Sequence, residues 1–217
     1  MLIQSMSENT TPGDAVKNLR ARIQSLDEDG LDLLFRDARS FKKWQDREVE
    51  DSVIEKLYEV TKWGPTSQNS NPARYLFLKS EEAISRTLPA MHEGNVPKVK
   101  VSPLVAIIAY DTQFFEYLPK LFPVKDVSGL YRDNPAKAES TAFRNSSLQG
   151  AYFMLAARAL GLDVNGISGF HNDIIDKEFF ADGRYKSNFL CCLGYGELEG
   201  LHPRGPRLDF DEVVQIL

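Results

Sequence analysis

The sequence predicts a single α+β domain with a central sheet that is mostly antiparallel or mixed. Its 217 residues are 42% hydrophobic, which is enough to bury one full core. Helical and strand patterns alternate irregularly along the chain, whereas a parallel sheet requires regular strand-helix-strand units. No internal repeat or low-complexity tract divides the sequence. The elements can therefore be followed in chain order as parts of one fold.

The first half of the chain predicts two helices and a strand. One helix begins near residue 29 and ends around residues 39–43. A second helix spans residues 51–63, where apolar residues recur at helical spacing until a Gly-Pro pair ends it. Residues 75–79 then predict a strand, and Ser80 is placed to cap the helix that follows.

The middle of the chain predicts the central strand and the longest helix. Residues 104–110 are apolar throughout, which suits a strand covered on both faces. Residues 113–137 have no clean period and predict an excursion or lid. The longest helix spans residues 139–160 and ends at Gly161. Because residues 151–157 of this helix are apolar on nearly every face, the sheet, other helices or a second subunit must enclose them, and we expect a dimer.

The last part of the chain predicts a turn, a short helix, a strand and a terminal helix. The turn is the glycine-rich stretch 165–169, and the short helix begins at Asn172. Residues 188–195 have the pattern of a buried strand, in which Cys191 and Cys192 point to opposite faces. The two cysteines are therefore expected to act as small hydrophobic residues and not to form a disulfide.

Composition and spacing argue against several classes of function. The 26 basic and 31 acidic residues are well mixed and give a net charge of -5, so no nucleic-acid partner is expected. Residues 1–14 contain no sustained apolar run, which predicts neither a signal peptide nor a membrane span, and the expected location is the cytoplasm. His92-Glu93 lacks the second histidine of a zinc helix, and Gly166 to Gly169 is one residue short of a nucleophile elbow. P-loop and Rossmann fingerprints are also missing.

A polar loop between the second helix and the next strand points to a ligand. It lies between Pro65 and Pro72 and contains threonine, serine, glutamine and asparagine. These side chains and their backbone offer hydrogen bonds to a flat, polar, uncharged group. A plain connector between a helix and a strand would not need so many amides.

Five dispersed polar segments lie at residues 38–44, 65–72, 95–98, 166–170 and 203–207. In their order and separation, over residues 31–217, they resemble the FMN-dependent nitroreductase family. Further phrases at residues 37–40, 62–67, 141–147, 168–170, 186–188 and 194–196 make the resemblance closest to the subgroup that reduces malonic semialdehyde to 3-hydroxypropionate. The resemblance implies an N-terminal extension over residues 1–28 and one nitroreductase-like, FMN-binding domain over residues 29–217.

The resemblance places the FMN phosphate at Arg39, Ser40 and Arg204. Guanidinium groups and a hydroxyl suit a dianion. Many relatives have basic residues where Ala38 and His202 stand here, so binding is expected to depend more on Arg204 and also on Arg207, for which the alternative is a surface pair near the C-terminus. The alternative for Arg39 is a solvated charge at a helix end.

The resemblance places the flavin ring near Asn95 and Lys98 and its N5 atom near Ser168 and Gly169. A cation beside the pyrimidine edge would stabilise the negative charge of reduced flavin, and a glycine lets the backbone approach closely. The alternatives are a helix N-cap with a surface lysine for the first pair, and an ordinary glycine turn for the second.

The resemblance further implies that the loop residues Pro65, Thr66, Ser67 and Asn69 reach the flavin of the other subunit. The expected assembly is a domain-exchanged homodimer with FMN at the subunit interface. NADH or NADPH would donate hydride, and a small acceptor would then take it.

Three functions stay open at this point. The expected one is the reduction of malonic semialdehyde, whose carboxylate Arg74 or Arg144 could recognise. A broad-specificity reductase of nitroaromatics or quinones would share every flavin residue, and a non-catalytic flavin-binding protein would keep the cofactor without turnover.

Overall fold

The computed structural model describes residues 11–217, which belong to two compact units divided after Ala38. The expectation that residues 1–14 form neither a signal peptide nor a membrane span concerns residues that lie mostly outside the described ones. The predicted division at residue 28, into an N-terminal extension and a domain, stays a prediction. In the first unit Arg36 forms ion pairs with Glu28 and Asp32.

Most of the α-helices in the described residues are short, and one is much longer than the rest. The α-helices are α1 (Pro12–Arg22), α2 (Glu28–Leu31), α3 (Asp51–Thr61), α4 (Glu81–Ser85), α5 (Val96–Lys100), α6 (Leu118–Leu121), α7 (Gly129–Arg132), α8 (Pro135–Ala159), α9 (Asn172–Phe179) and α10 (Phe210–Val213). One π-helical turn covers Asp32–Arg36, and 3-10 turns cover Ser67–Asn69, Leu88–Ala90, Glu93–Asn95 and Phe114–Tyr117.

Within residues 11–217, four antiparallel strands form the sheet, in the order β1-β2-β4-β3. They are β1 (Ala73–Leu78), β2 (Leu104–Asp111), β3 (Asp163–Ile167) and β4 (Tyr185–Gly194). Every residue of β2 is buried, as its continuous apolar run predicts. The predicted α+β class with an antiparallel sheet is confirmed.

The core lies on both faces of the sheet, and the two cysteines show this division. Cys191 packs in the cluster that contains Phe153 and Ala157 of α8. Cys192 packs in the opposite cluster with Ile175 of α9. Burial raises the pKa of both thiols, to about 11 for Cys192. Both cysteines are free and buried, so the prediction that they act as small hydrophobic residues is confirmed.

Helix α8 fits the prediction closely and leaves one face open. It ends where Gly161 takes a φ of 79°, a left-handed conformation that favours glycine. Phe153 is 1% exposed, whereas Phe143 is 50% and Leu148 is 48% exposed. The sheet therefore covers one side of the helix, and apolar side chains remain on the other side.

Some sequence predictions were wrong in detail. The first predicted helix ends at Arg36 and does not continue to residues 39–43. Residues 165–167 lie in β3 and not in a turn, because β4 offers them a pairing partner in register. Helix α1 was missed, although Thr11 caps it and Pro12 begins it. The excursion at residues 113–137 contains short helices and the start of α8.

Among the described residues, no helix is both long and apolar enough to cross a membrane.

Candidate functional site

Two distant segments pair to create the first part of the site. Met91 and Phe170 form an isolated antiparallel bridge. The His92 amide donates to the Gly169 carbonyl at 3.1 Å, and the His171 amide donates to the Ala90 carbonyl at 2.8 Å. The end of β3 is thereby fixed against the turn that leads into α5.

A short chain of hydrogen bonds connects Lys98, Asn95 and Gly169. The Lys98 ammonium donates to Asn95 Oδ1 at 2.8 Å, and Asn95 Nδ2 donates to the Gly169 carbonyl at 2.9 Å. Asn95 precedes α5 but makes no side-chain capping bond. Both Asn95 and Lys98 are half-buried. The Asn95 side chain therefore does not serve as a helix cap, and Lys98 is not a freely solvated surface lysine.

Gly169 is required by the packing around it. A Cβ built on Gly169 would lie 2.6 Å from Asn95 Nδ2 and 3.2 Å from His92 Nδ1. Its φ is not in the left-handed region, so the absence of a side chain matters here and the backbone conformation does not. Ser168 beside it is exposed. The segment is thus a tightly packed contact with Asn95 and not an ordinary glycine turn.

The second part of the site brings the predicted phosphate residues together. Arg39 Nη2 donates to the His202 carbonyl, two residues before Arg204. Ser40 is exposed and forms a parallel bridge with Val164 of β3. The two segments predicted from opposite ends of the sequence therefore meet beside this strand.

Charge at this end is more concentrated than the sequence predicts. Burial lowers the pKa of Arg158, and the nearby positive charge of Arg204 lowers it further. Burial raises the pKa of Asp163, whose carboxylate accepts a hydrogen bond from the Gly196 amide at 2.8 Å. Several guanidinium groups near one place suit a phosphate dianion.

Strand β3 connects the first two parts. Ser40 lies beside Val164, and Ser168 follows the last residue of the strand. At about 3.3 Å per residue, the distance along the strand from Val164 to Ser168 is roughly 13 Å. The cationic end, which contains Arg39, Arg158 and Arg204, and the Asn95–Lys98 end therefore suit the two ends of one elongated ligand.

The polar loop forms the third part and has an unusual backbone. Gln68, Asn69 and Asn71 have φ values of 53°, 51° and 42°, in the left-handed region that residues other than glycine rarely adopt. Thr66 Oγ1 accepts a hydrogen bond from the Asn71 amide at 3.1 Å. Strained backbone of this kind is concentrated at ligand sites.

Side chains on two sides hold this loop in place. On the α8 side, Asn145 accepts from the Ser67 amide at 2.8 Å and Gln149 accepts from the Ala73 amide at 2.9 Å. On the side of the excursion, Asn69 Nδ2 donates to the Leu121 carbonyl at 2.8 Å and the Tyr131 hydroxyl donates to Gln68 Oε1 at 2.7 Å.

A cavity of about 470 Å³ adjoins the loop. Pro65 and Asn69 line it together with aromatic side chains and Gln149. Within the described part of the chain, the hydrogen bonds of the loop go to α8 and the excursion and do not reach the Asn95 or Arg39 groups. Within one chain, the first two parts thus lie along β3, and the loop makes no hydrogen bond to either of them among the described residues.

The two arginines considered for carboxylate recognition differ in their surroundings. Arg74 is engaged: it pairs with the buried Asp111 at 2.7 Å and donates to the Asn71 and Ala73 carbonyls. Arg144 is exposed on α8, with no ion pair to the described residues, beside a surface cavity of about 590 Å³ that Phe143 and Leu148 also line.

Two of the subgroup phrases are joined to each other by hydrogen bonds. Asn188 Nδ2 donates to the hydroxyls of Ser146 and Ser147 at 2.8 and 2.9 Å, which joins the phrase at residues 141–147 to the one at 186–188. In the first of these phrases, Arg144 is the charged side chain that faces outward.

Sequence reasoning missed several residues of these three parts. His92 and His171 stand on either side of the Gly169 contact with their ring centroids 5.0 Å apart, and imidazole nitrogens there could donate or accept protons. Asn145 and Gln149 lie in the polar half of α8, beside Arg144, Ser146 and Ser147, so no local signal in the sequence sets them apart. No group of three or more potential metal ligands occurs among the described residues.

Comparison with known proteins gives a consistent result. A family model described as "Nitroreductase family" matches residues 35–195. A protein of Rhodopseudomonas palustris, provisionally named NADH dehydrogenase/NAD(P)H nitroreductase, is 50% identical over 187 residues, which are 86% of this chain and 95% of that protein. A Burkholderia lata protein with the same provisional name is 50% identical over 88% of this chain and 98% of its own length.

A solved structure shares the fold. It is a provisionally assigned nitroreductase in complex with FMN from Exiguobacterium sibiricum, which superimposes with a TM-score of 0.77 at 21% identity. The match covers 89% of this chain and 99% of that one.

Substitution of Gly169 tests the packing against Asn95. Gly169→Ala should destabilise the protein by about 1–3 kcal/mol, because the added Cβ overlaps the Asn95 amide. In the Asn95→Ala background the same substitution should cost clearly less, since the overlapping atoms are gone. Urea unfolding of the four proteins measures this coupling; equal costs in both backgrounds would show that the two residues do not constrain each other.

Proposed function

Because the chain belongs to the nitroreductase family, we propose that it is an FMN-dependent NAD(P)H oxidoreductase that reduces malonic semialdehyde to 3-hydroxypropionate. The hydrogen-bonded chain from Lys98 through Asn95 to Gly169 is the observation that carries the proposal. Bound FMN supplies the hydride chemistry through its N5 atom. The chain's own residues bind and orient the reactants.

The residues at the Gly169 end fit a flavin ring. Lys98 uses one of its three ammonium protons on Asn95, and the other two remain for a ligand. At ~4 Å and an effective dielectric of ~20, a unit negative charge would be attracted by roughly 4 kcal/mol before desolvation is subtracted. Lys98 would therefore favour the reduced form of the ring over the oxidised form, with Ser168 and Gly169 beside the N5 atom.

The other end fits the phosphate. Arg39, Ser40 and Arg204 would hold it, with the charge of Arg158 nearby. Arg39 uses Nη2 on the His202 carbonyl, which fixes the direction of its guanidinium. The names of the relatives, which include NAD(P)H nitroreductase, and the FMN complex of the solved neighbour support the same cofactors. The electron donor is NADH or NADPH.

We further propose a domain-exchanged homodimer with FMN at the subunit interface. In it, Pro65, Thr66, Ser67 and Asn69 of one subunit would meet the flavin held by the other. Two observations support this assembly: among the described residues the loop has no hydrogen bond to the other two parts of its own chain, and the outer face of α8 exposes Phe143 and Leu148. A small-molecule substrate is the expected ligand, without nucleic-acid or membrane partners and in the cytoplasm.

Arg144 is the better candidate to recognise the carboxylate of malonic semialdehyde. Arg74 is already satisfied by Asp111 and two backbone carbonyls. Arg144 is exposed, and its neighbour Asn145 holds the ligand-binding loop. A bidentate guanidinium-carboxylate pair would select an acidic aldehyde over a neutral one.

A second candidate function is the reduction of nitroaromatics or quinones by the same flavin. The cavity beside the loop favours it, because Tyr58, Trp63, Tyr75 and Tyr117 line that cavity and could stack on a flat aromatic acceptor. The relatives' names point the same way. Comparing kcat/KM for the two classes of acceptor separates the two functions.

The role of Lys98 can be tested through the flavin midpoint potential. Lys98→Met keeps most of the side-chain length and removes the charge. The affinity for oxidised FMN should therefore fall slightly, and the affinity for reduced FMN should fall more. With about 1 to 1.5 kcal/mol of differential interaction, the two-electron potential should fall by roughly 20 to 35 mV. Photoreduction titration measures it.

Lys100→Met is the matched control, because Lys100 lies on the same helix and is exposed. It should leave the potential unchanged. An unaltered potential in Lys98→Met with normal flavin content would remove Lys98 from the site.

The choice between the two arginines predicts a split in kinetics. Arg144→Gln should raise KM for malonic semialdehyde about tenfold or more, the factor that corresponds to losing 1.4 kcal/mol, and should leave KM for a neutral nitroaromatic within about twofold. Steady-state assays with both acceptors measure this. If the two KM values rise together, or if neither changes, Arg144 does not recognise the carboxylate.

A further inference from the structure

We propose that Asn145 and Gln149 of α8 are positioning residues, which hold the loop between Thr66 and Asn71 in the conformation that meets the flavin. The inference rests on the proposed function, since it takes FMN as the ligand. It assigns a role to two buried amides that neither touch the Asn95 group nor belong to the cationic end.

The loop needs such support because its backbone is strained. Gln68, Asn69 and Asn71 all lie in the left-handed region, at φ values of 53°, 51° and 42°. None is a glycine; asparagine tolerates this region better than other side chains do, whereas Gln68 is crowded against its own backbone. Without outside contacts the three residues would relax to the ordinary regions of φ and ψ, and the amides and hydroxyls of the loop would lose their arrangement.

Asn145 fixes the beginning of the strained stretch. Its Oδ1 accepts from the Ser67 amide at 2.8 Å, and its Nδ2 donates to the Thr141 carbonyl one helical turn earlier, also at 2.8 Å. The residue is 3% exposed. Because Nδ2 is tied to its own helix, Oδ1 has a fixed direction and presents one acceptor to the loop.

Gln149 fixes the end of the stretch. Its Oε1 accepts from the Ala73 amide at 2.9 Å, and its Nε2 donates to Asn71 Oδ1 at 3.3 Å. The residue is 4% exposed. Since Asn145 and Gln149 are four positions apart, they lie on the same face of α8. One rigid helix thus holds both ends of the loop.

Because Asn145 and Gln149 are buried, the loss of one of these hydrogen bonds is costly in free energy. An amide inside the protein is costly unless it is hydrogen-bonded, and an apolar residue at either position would pack without that demand. Other contacts of the loop, from Asn69 to Leu121 and from Tyr131 to Gln68, come from the excursion and not from a long helix. The α8 amides therefore hold the loop against the longest helix.

The test compares variants of three buried positions on α8. Asn145→Ala removes the bond to Ser67, and Gln149→Leu removes the bonds to Ala73 and Asn71 while keeping most of the side-chain volume. Ser146→Ala is the matched control, because Ser146 is 0% exposed and bonds to Phe143 and Asn188 but not to the loop.

Two quantities are measured on the flavin-loaded proteins: the FMN dissociation constant, from flavin fluorescence on dilution, and hydrogen exchange of the amides at residues 67–73. Either α8 amide variant should weaken FMN binding about tenfold and speed exchange in the loop. Ser146→Ala should lower the melting temperature to a similar extent and leave both quantities near wild type.

The outcomes separate this inference from the proposed function. Wild-type protein that does not bind FMN would contradict the proposed function, and loop exchange alone would then decide whether the amides hold the loop. If the changes in FMN affinity and in loop exchange are proportional to the loss of melting temperature in all three variants, including Ser146→Ala, the positioning role is overturned. If Asn145→Ala does not fold, Gln149→Leu carries the same comparison.

Discussion

The hydrogen bond from the Asn95 side-chain amide to the Gly169 carbonyl joins two segments that are 74 residues apart. It fixes the end of β3 against the turn before α5 and directs Asn95 Oδ1 toward the Lys98 ammonium. Gly169 must lack a side chain for this contact to exist. The geometry of the proposed flavin-ring site is therefore set by one close approach between the Asn95 side chain and Gly169.

The remaining parts of the site are arranged around β3. The cationic end lies beside Val164 through its bridge to Ser40, and the Gly169 contact follows the opposite end of the strand. The polar loop has another support, because its strained backbone is held by buried amides of α8. Strand β3 and helix α8 thus support different parts of the proposed site.

Local pattern in the sequence predicted the features that depend on neighbouring residues. The buried run of β2, the long helix ended by Gly161 and the opposed faces of Cys191 and Cys192 follow from side-chain periodicity. Asn95 and Lys98 were paired from the resemblance, and the structure shows them hydrogen-bonded to each other.

Features that depend on distant partners could not be predicted in this way. Residues 165–167 look like a turn because of Gly166, yet β4 pairs with them as a strand. Asn145 contacts a residue 78 positions away, and Gln149 one that is 76 away. The buried amides that hold the loop were not predicted, because their partners are far away in the sequence.

Mixed dimers test the central claim most directly. One chain would carry Arg39→Ala and Arg204→Ala with an intact loop, and the other would carry Ser67→Pro with intact arginines; Ser67→Pro removes the amide that donates to Asn145. Each homodimer should fail to retain FMN. If the loop serves the flavin of the other subunit, the mixed dimer has one intact site and should bind one FMN per dimer. A mixed dimer that binds none, in a preparation where wild-type dimers bind two, would contradict this account.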